Sequence, residues 1–240
     1  MYLITTRPIE DALNDCRILN KRGVNATASP SMKIKKENPN INFNFDGIFL
    51  TSRHAAHIVK NLKDKNIPIF CVGSSTAKIA RSFGATNLIV GNSDALHLIS
   101  LIKGVLKNGS NILWPSNNQK NDLIEKKFKQ YNFSLFRETF YRVSSLNTID
   151  GDSLNLIKKN KVSVILFFSL ISAKMWIELI KKSNLTKSIY KINYVVINNS
   201  IFNYLKKLKL DNVYISRRKR RASVLSKGLE IYKNLEIHNE

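Results

Sequence analysis

Ile69-Phe-Cys-Val-Gly-Ser-Ser-Thr-Ala-Lys-Ile-Ala-Arg-Ser-Phe-Gly84 changes character twice in sixteen residues. Ile69 to Val72 is a short continuous apolar run, the pattern of a buried strand. Gly73 permits a tight turn. From Thr76 onward Ala77, Ile79, Ala80 and Phe83 recur at helical spacing, and Gly84 supplies the stop. The stretch therefore encodes strand, turn and helix. Its turn carries three hydroxyls, Ser74, Ser75 and Thr76, beside the unpaired N–H groups that open every helix. Two readings follow. The hydroxyls are ordinary helix caps, or hydroxyls and amides together hold an anion at the positive end of the helix dipole.

Reading outward, the same unit recurs. Asp46 to Ser52 is an apolar strand feeding a helix over Arg53 to Leu62. Asn87 to Val90 leads through Gly91-Asn92-Ser93-Asp94 into a helix over Ala95 to Lys107. Asn111 to Trp114 precedes a helix over Asp122 to Gln130, and Phe133 to Arg137 is a further strand. Towards the amino terminus, strands over Tyr2 to Thr6 and Val24 to Ser29 flank a helix over Ile9 to Lys21. Towards the carboxyl terminus, Val162 to Ser169, Tyr194 to Ile197 and Val213 to Ser216 are strands, each followed by a helix. Gly73 and Gly91 recur, at identical spacing, as Asn198 and Ser216, and Ser52 matches Ser169 at a strand end. Strands alternating with helices predict parallel sheets covered by helices. A duplicated set predicts two similar α/β domains with sites at the carboxyl ends of their strands. Ser31 to Asn44, polar and basic, reads as a linker or loosely paired ribbon, with the extended Glu138 to Leu146 as its partner.

Composition sets the partners to consider. Lys plus Arg number 39 against 17 Asp plus Glu, a net charge of +22, while hydrophobic content is an ordinary 43%. Such a balance favours a polyanion: nucleic acid, an anionic membrane, or a small molecule with many carboxylates. The chain is also rich in Lys, Asn and Ile throughout, so part of the charge reads as solvated surface. Cys16 and Cys71 lie in predicted helix and strand, which predicts buried thiols in a reducing compartment and gives no metal spacing. Thr5, Thr6 and Arg7 interrupt the apolar start, against a signal peptide. The longest apolar run, Val162 to Ile171, is far below the ~20 residues of a membrane span. A soluble, cytoplasmic protein is expected. Gly73-Ser74-Ser75-Thr76 is neither G-x-G-x-x-G nor a Walker loop. A basic α/β module binding nucleic acid or nucleotide, with Arg217 to Arg221 on phosphates, remains the alternative.

Leu3-Ile4-Thr5-Thr6-Arg7-Pro8, Asp46 to Ala55, Cys71 to Gly84, Phe140-Tyr141-Arg142 and Phe167-Phe168-Ser169, taken as an ordered set, resemble uroporphyrinogen-III synthase, the HemD family, over nearly the whole chain. The resemblance implies two α/β domains, each a parallel sheet flanked by helices, joined by a two-stranded linker. Residues 1–33 with 144–240 would form one domain and 43–136 the other, with 34–42 and 137–143 as the linker. It also implies cyclisation of hydroxymethylbilane, a linear tetrapyrrole with eight carboxylates, with loss of water and inversion of the last ring. No cofactor or metal would be needed, and the protein would act as a monomer without nucleic acid or membrane. Tyr141 matches a tyrosine at the cleft edge and would protonate the leaving hydroxyl. Thr6, Arg7, Ser52, Arg53, Ser74, Ser75 and Thr76 match loop positions facing substrate, as do Lys120, Ser169, Ser172 and Ser200. Each has a plainer reading as a cap, core or surface residue. Four positions depart from the family pattern: Asn117 for a frequent Gly, Asn121 for a common Arg, Asn198 for Gly or Ser, and Phe202 for a small residue.

Overall fold

The computed structural model describes residues 1–92, 95–119 and 121–238. Lys120, expected at the site, and Ser93 and Asp94 of the expected cap lie outside the described residues. In chain order the elements are β1 (Tyr2–Thr5), α1 (Ile9–Asn20), β2 (Ala26–Ala28), β3 (Met32–Lys36), β4 (Gly47–Leu50), a 3-10 helix (Arg53–Asn61), β5 (Ile69–Cys71), α2 (Ser74–Ser82), β6 (Leu88–Val90), α3 (Ala95–Val105), β7 (Asn111–Asn117), α4 (Asp122–Gln130) and β8 (Ser134–Ser145). There follow α5 (Gly151–Lys158), β9 (Val162–Phe167), α6 (Leu170–Lys182), a short 3-10 helix (Thr186–Ile189), β10 (Asn193–Val196), α7 (Asn199–Lys207), β11 (Val213–Ile215) and α8 (Arg221–Ile237). Two compact units result, unit 1 of Met1–Lys33 with Ser144–Glu240 and unit 2 of Ile34–Val143.

The five-stranded sheet of unit 1 runs β11-β10-β9-β1-β2, every pair parallel. Parallel strands covered on both faces must be apolar on both, and β9 is buried along nearly its whole length. Its alternate residues serve two cores. Ile165 and Phe167 pack with Ile4, Tyr194 and Val196 against Trp176, Ile177 and Ile180 of α6 and Ile201 and Leu205 of α7. Val164 and Leu166 pack with Leu3 and Val195 against Leu19 of α1 and Val224, Leu225 and Tyr232 of α8. Gly228 lets α8 approach closely: a Cβ there would lie 2.7 Å from Leu166 Cδ2.

Unit 2 has the six-stranded order β3-β8-β7-β4-β5-β6. Ile48, Leu50, Ile69 and Cys71 face the 3-10 helix and α2, whereas Phe49, Phe70, Ile112 and Trp114 face α3 and α4. Pairs from β8 through β6 are parallel. β3 runs antiparallel to β8: Leu146 N–H donates to Ser31 O, and Glu37 N–H to Phe140 O. Residues expected as linker thus add strands to this sheet. The sequence repeat has a topological counterpart. Read as β2-β1-β9-β10-β11 and β8-β7-β4-β5-β6, the two orders coincide, with β1 matching β7 and β9 matching β4. In each, chain direction across the sheet reverses between those two strands, the switch point outside whose carboxyl ends open α/β sheets bind ligands.

Candidate functional site

At the switch point of unit 2, β4 delivers Thr51 and Ser52, and β7 delivers Ser116 and Asn117. Ser52 is the N-cap of the 3-10 helix, its Oγ accepting from His54 N–H at 3.2 Å. Trp114 Nε1 donates to Thr51 Oγ1 at 3.1 Å, tying the two strand ends together. Tyr141 arrives from β8. The register of β7 on β8 shifts between Ser116 and Asn117, so that Ser116 pairs with Thr139 but Asn117 with Tyr141. The extra residue is Phe140, and both Phe140 and Tyr141 are buried, which strict alternation forbids. A bulge of this kind re-aims a side chain. Here it turns the Tyr141 phenol to hydrogen-bond the side chains of Ser52 and Asn117. Burial pushes that phenol above its ordinary titration range, and the two hydrogen bonds pull partly back. Tyr141 is therefore a neutral O–H donor at physiological pH. The His54 ring stands 5.7 Å from it.

Around this tyrosine the loops are fixed from within unit 2. Arg137 lies over the Trp114 ring at 5.3 Å and donates to the carbonyls of Asn117 (2.9 Å) and Gln119. Asn117 Oδ1 accepts from Gln119 N–H at 2.9 Å. Asn121 caps α4, accepting from Ile124 N–H at 3.4 Å. Arg53 is half-buried at the first position of the 3-10 helix. On the neighbouring β5, the N-cap of α2 is Gly73, which offers no side-chain cap. Ser74 and Ser75 are exposed in the first turn, and Thr76 is buried. The plain capping reading of these hydroxyls thus fails for α2, whose first amides have no side-chain acceptor.

At the switch point of unit 1 the hydroxyls turn inward. Thr6 Oγ1 donates to Leu166 O at 2.9 Å, and Ser172 Oγ donates to Thr6 O at 3.1 Å and lies 3.3 Å from Ser31 Oγ. Ser169 is exposed and caps α6, accepting from Ser172 N–H at 3.1 Å. Ser200 is exposed in the first turn of α7, whose cap is Asn198. Phe202 packs on the unit's core. Arg7 is committed to its own chain: Nη2 meets Asp11 at 2.8 Å, Nη1 meets Asp15 at 3.2 Å, and the guanidinium lies 5.1 Å from the Phe168 ring centre. Arg221 Nε completes the cluster at 2.6 Å from the wholly buried Asp15. Burial pulls the titration of Arg7 downward, while Asp15 opposes that.

Of the expected residues, the structure brings Tyr141 and Ser52 together in unit 2, with Arg53 on the helix that Ser52 caps and Ser74 and Ser75 on the next strand's turn. In unit 1 it joins Thr6 to Ser172 and leaves Ser169 and Ser200 on the surface. Asn117 was flagged in the sequence only as a departure; its bond to Tyr141 depends on a bulge that periodicity does not reveal. Among the described residues no group of three or more His, Cys, Asp or Glu is arranged to hold a metal ion, and no helix is long and apolar enough to cross a membrane.

The sequence profile of uroporphyrinogen-III synthase HemD matches residues 16–226. No curated protein matches the chain significantly in sequence. Among solved structures, uroporphyrinogen-III synthetase from Helicobacter pylori is similar with a TM-score of 0.66 at 14% identity, covering 96% of this chain and 99% of that one. A mutant uroporphyrinogen III synthase from Thermus thermophilus gives a TM-score of 0.59 at 11% identity, covering 98% and 100%. At such identities the structures speak for the fold, while the profile, spanning most of the chain, speaks for descent. The nucleic-acid or nucleotide-binding alternative gains no support from either. The chain belongs to the uroporphyrinogen-III synthase HemD family.

Proposed function

We propose that this protein is a lyase that closes hydroxymethylbilane to uroporphyrinogen III, and that Tyr141 is its general acid. One observation carries the assignment of the acid: a neutral phenol, fixed by Ser52 and Asn117 beside the switch point of unit 2, in a chain of this family. Tyr141 donates its proton to the substrate's terminal hydroxyl, the carbon–oxygen bond breaks, and water leaves as a pyrrole nitrogen lone pair makes the azafulvenium. The far ring attacks that carbon, giving a spiro intermediate that reopens and closes with the last ring inverted. Loss of a ring proton restores aromaticity, and the phenolate regains a proton. The eight carboxylates call for donors rather than acceptors. Ser74, Ser75 and the uncapped amides of α2, with Ser169 and Ser200 on unit 1, are the donors proposed to meet them, and Arg53, Thr76 and Lys120 belong to the same reading. The protein is proposed to act as a cytoplasmic monomer without cofactor, metal or nucleic acid. Supplying hydroxymethylbilane to the purified protein and resolving the products tests this. The type III isomer is expected, and the type I isomer alone, at the spontaneous rate, would overturn it.

A further inference from the structure

His57 projects from the 3-10 helix of unit 2 with both ring nitrogens engaged. Nδ1 lies 3.0 Å from His54 O, and Nε2 lies 2.8 Å from Glu37 O, in the residue that follows β3. Both partners are backbone carbonyls, which only accept. A neutral imidazole has one donor and one acceptor nitrogen, so it satisfies one carbonyl and points a lone pair at the other. The ring centre also lies 5.5 Å from that of Phe140, the two planes tilted by 52°. The titratable and charged groups on the elements around it are Arg53, His54 and Lys60 of its own helix, Lys33, Lys35 and Lys36 of β3 with Glu37 just after it, and Arg137, Glu138, Tyr141 and Arg142 of β8. The Glu37 side chain is turned to a different partner, its Oε1 lying 2.6 Å from Arg142 Nε.

The three contacts close a loop around the bulge. His57 holds Glu37 O, Glu37 N–H donates to Phe140 O at 2.8 Å, and the Phe140 ring returns to His57. Phe140 is the extra residue that sets Tyr141 opposite Asn117. The other end of the 3-10 helix is capped by Ser52, the second partner of the Tyr141 hydroxyl. We infer that His57 is a positioning residue: its ring, set between the carbonyls of His54 and Glu37, clamps the 3-10 helix to the end of β3 and the Phe140 bulge, and so holds the Tyr141 hydroxyl between Ser52 and Asn117. The inference rests on Tyr141 as the acid. Removing the ring opens the clamp without touching substrate.

Steady-state kinetics of the full-length protein read the clamp. His57→Ala should lower kcat about tenfold, as a displaced acid costs, while KM changes little, and His57→Gln, which keeps a donor for Glu37 O, should recover part of the loss. The same His57→Ala change made in a Tyr141→Phe background should lower kcat no further, because the hydroxyl it positions is gone. A folded His57→Ala protein with the parental kcat overturns the inference, and so does an undiminished loss in the Tyr141→Phe background. Tyr141→Phe separates the two readings: if it lowers kcat while a folded His57→Ala protein keeps the parental kcat, the clamp alone fails; if it leaves kcat unchanged, the acid assignment fails, and the clamp, which acts through that hydroxyl, fails with it.

Discussion

Tyr141→Phe keeps the ring that fills the core of unit 2 and deletes only the hydroxyl held by Ser52 and Asn117. A well-placed general acid is worth about 10²–10⁴ in rate. Because water or the substrate's own carboxylates can also deliver a proton, kcat should fall by about ten- to a hundredfold, the low end of that range, with KM and the thermal midpoint nearly unchanged. An unaltered kcat in steady-state assays would return Tyr141 to a packing role. In unit 1 the corresponding test is Asp15→Asn. The wholly buried carboxylate accepts from Thr5 Oγ1 at 3.1 Å and holds Arg7 and Arg221. Removing its charge leaves two guanidinium groups facing each other with Asp11 still on Arg7, and the loss should be about 3 kcal/mol, the low end for a broken buried pair. A urea midpoint that stays put would contradict this. Tyr141 and Ser52 were legible as candidates because they stand in motifs. Asp15 and Asn117 were not, because their roles come from neighbours far away in sequence, Arg221 for one and the bulged β8 for the other.

Two helical glycines make opposite predictions. Gly228 on α8 sits where a Cβ would meet Leu166 at 2.7 Å and Leu3 at 3.4 Å, so Gly228→Ala must displace the central strands' side chains. Overpacking of that kind costs about 1–3 kcal/mol, more than the roughly 1 kcal/mol gained in helix propensity. Gly104 on α3 has no atom within 4 Å of such a Cβ, and Gly104→Ala should stabilise by up to about 1 kcal/mol. Thermal midpoints of the pair decide it, a stabilising Gly228→Ala being the contrary result. Elements with strong periodicity were legible: α4 covers Asp122–Gln130, as its spacing predicts. The element α5, Gly151–Lys158, was not anticipated, since a single turn or two rich in Asn, Asp and Ser carries too few apolar residues to define a period. The segment after Ser52 is a 3-10 helix rather than an α-helix, and over nine residues periods of 3.0 and 3.6 place nearly the same side chains inward. β8 is one strand of twelve residues where the charges Arg137 and Glu138 suggest a break. It tolerates Arg137 because that guanidinium lies over the Trp114 ring and donates to the Asn117 carbonyl.

For the whole molecule, buried thiols and phenols set an alkaline limit. Burial raises Cys16 from 9.0 to about 11 and Cys71 from 9.0 to about 12, and raises Tyr141, Tyr194 and Tyr204 above 10.0. A group whose folded value is raised contributes fully below its unfolded value and loses that contribution as pH climbs towards the folded one. Stability should therefore hold to about pH 9 and then decline steadily through about pH 11 to 12, read as a falling urea midpoint; a midpoint constant over that window would refute it. The shared strand order has a different consequence, one of timing. Unit 2 is a continuous stretch, so every strand of its sheet has been synthesised once Ser145 is made. Unit 1 is split, and its strand β1 at Tyr2–Thr5 lies between β2 and a β9 that begins only at Val162. At about 5–20 residues per second, the ribosome leaves the apolar edge of Leu3 and Ile4 waiting roughly ten to thirty seconds for its partner. During that interval the nascent chain carries a finished unit 2 and an unpaired β-edge on the amino-terminal side of it, the species on which a chaperone would act.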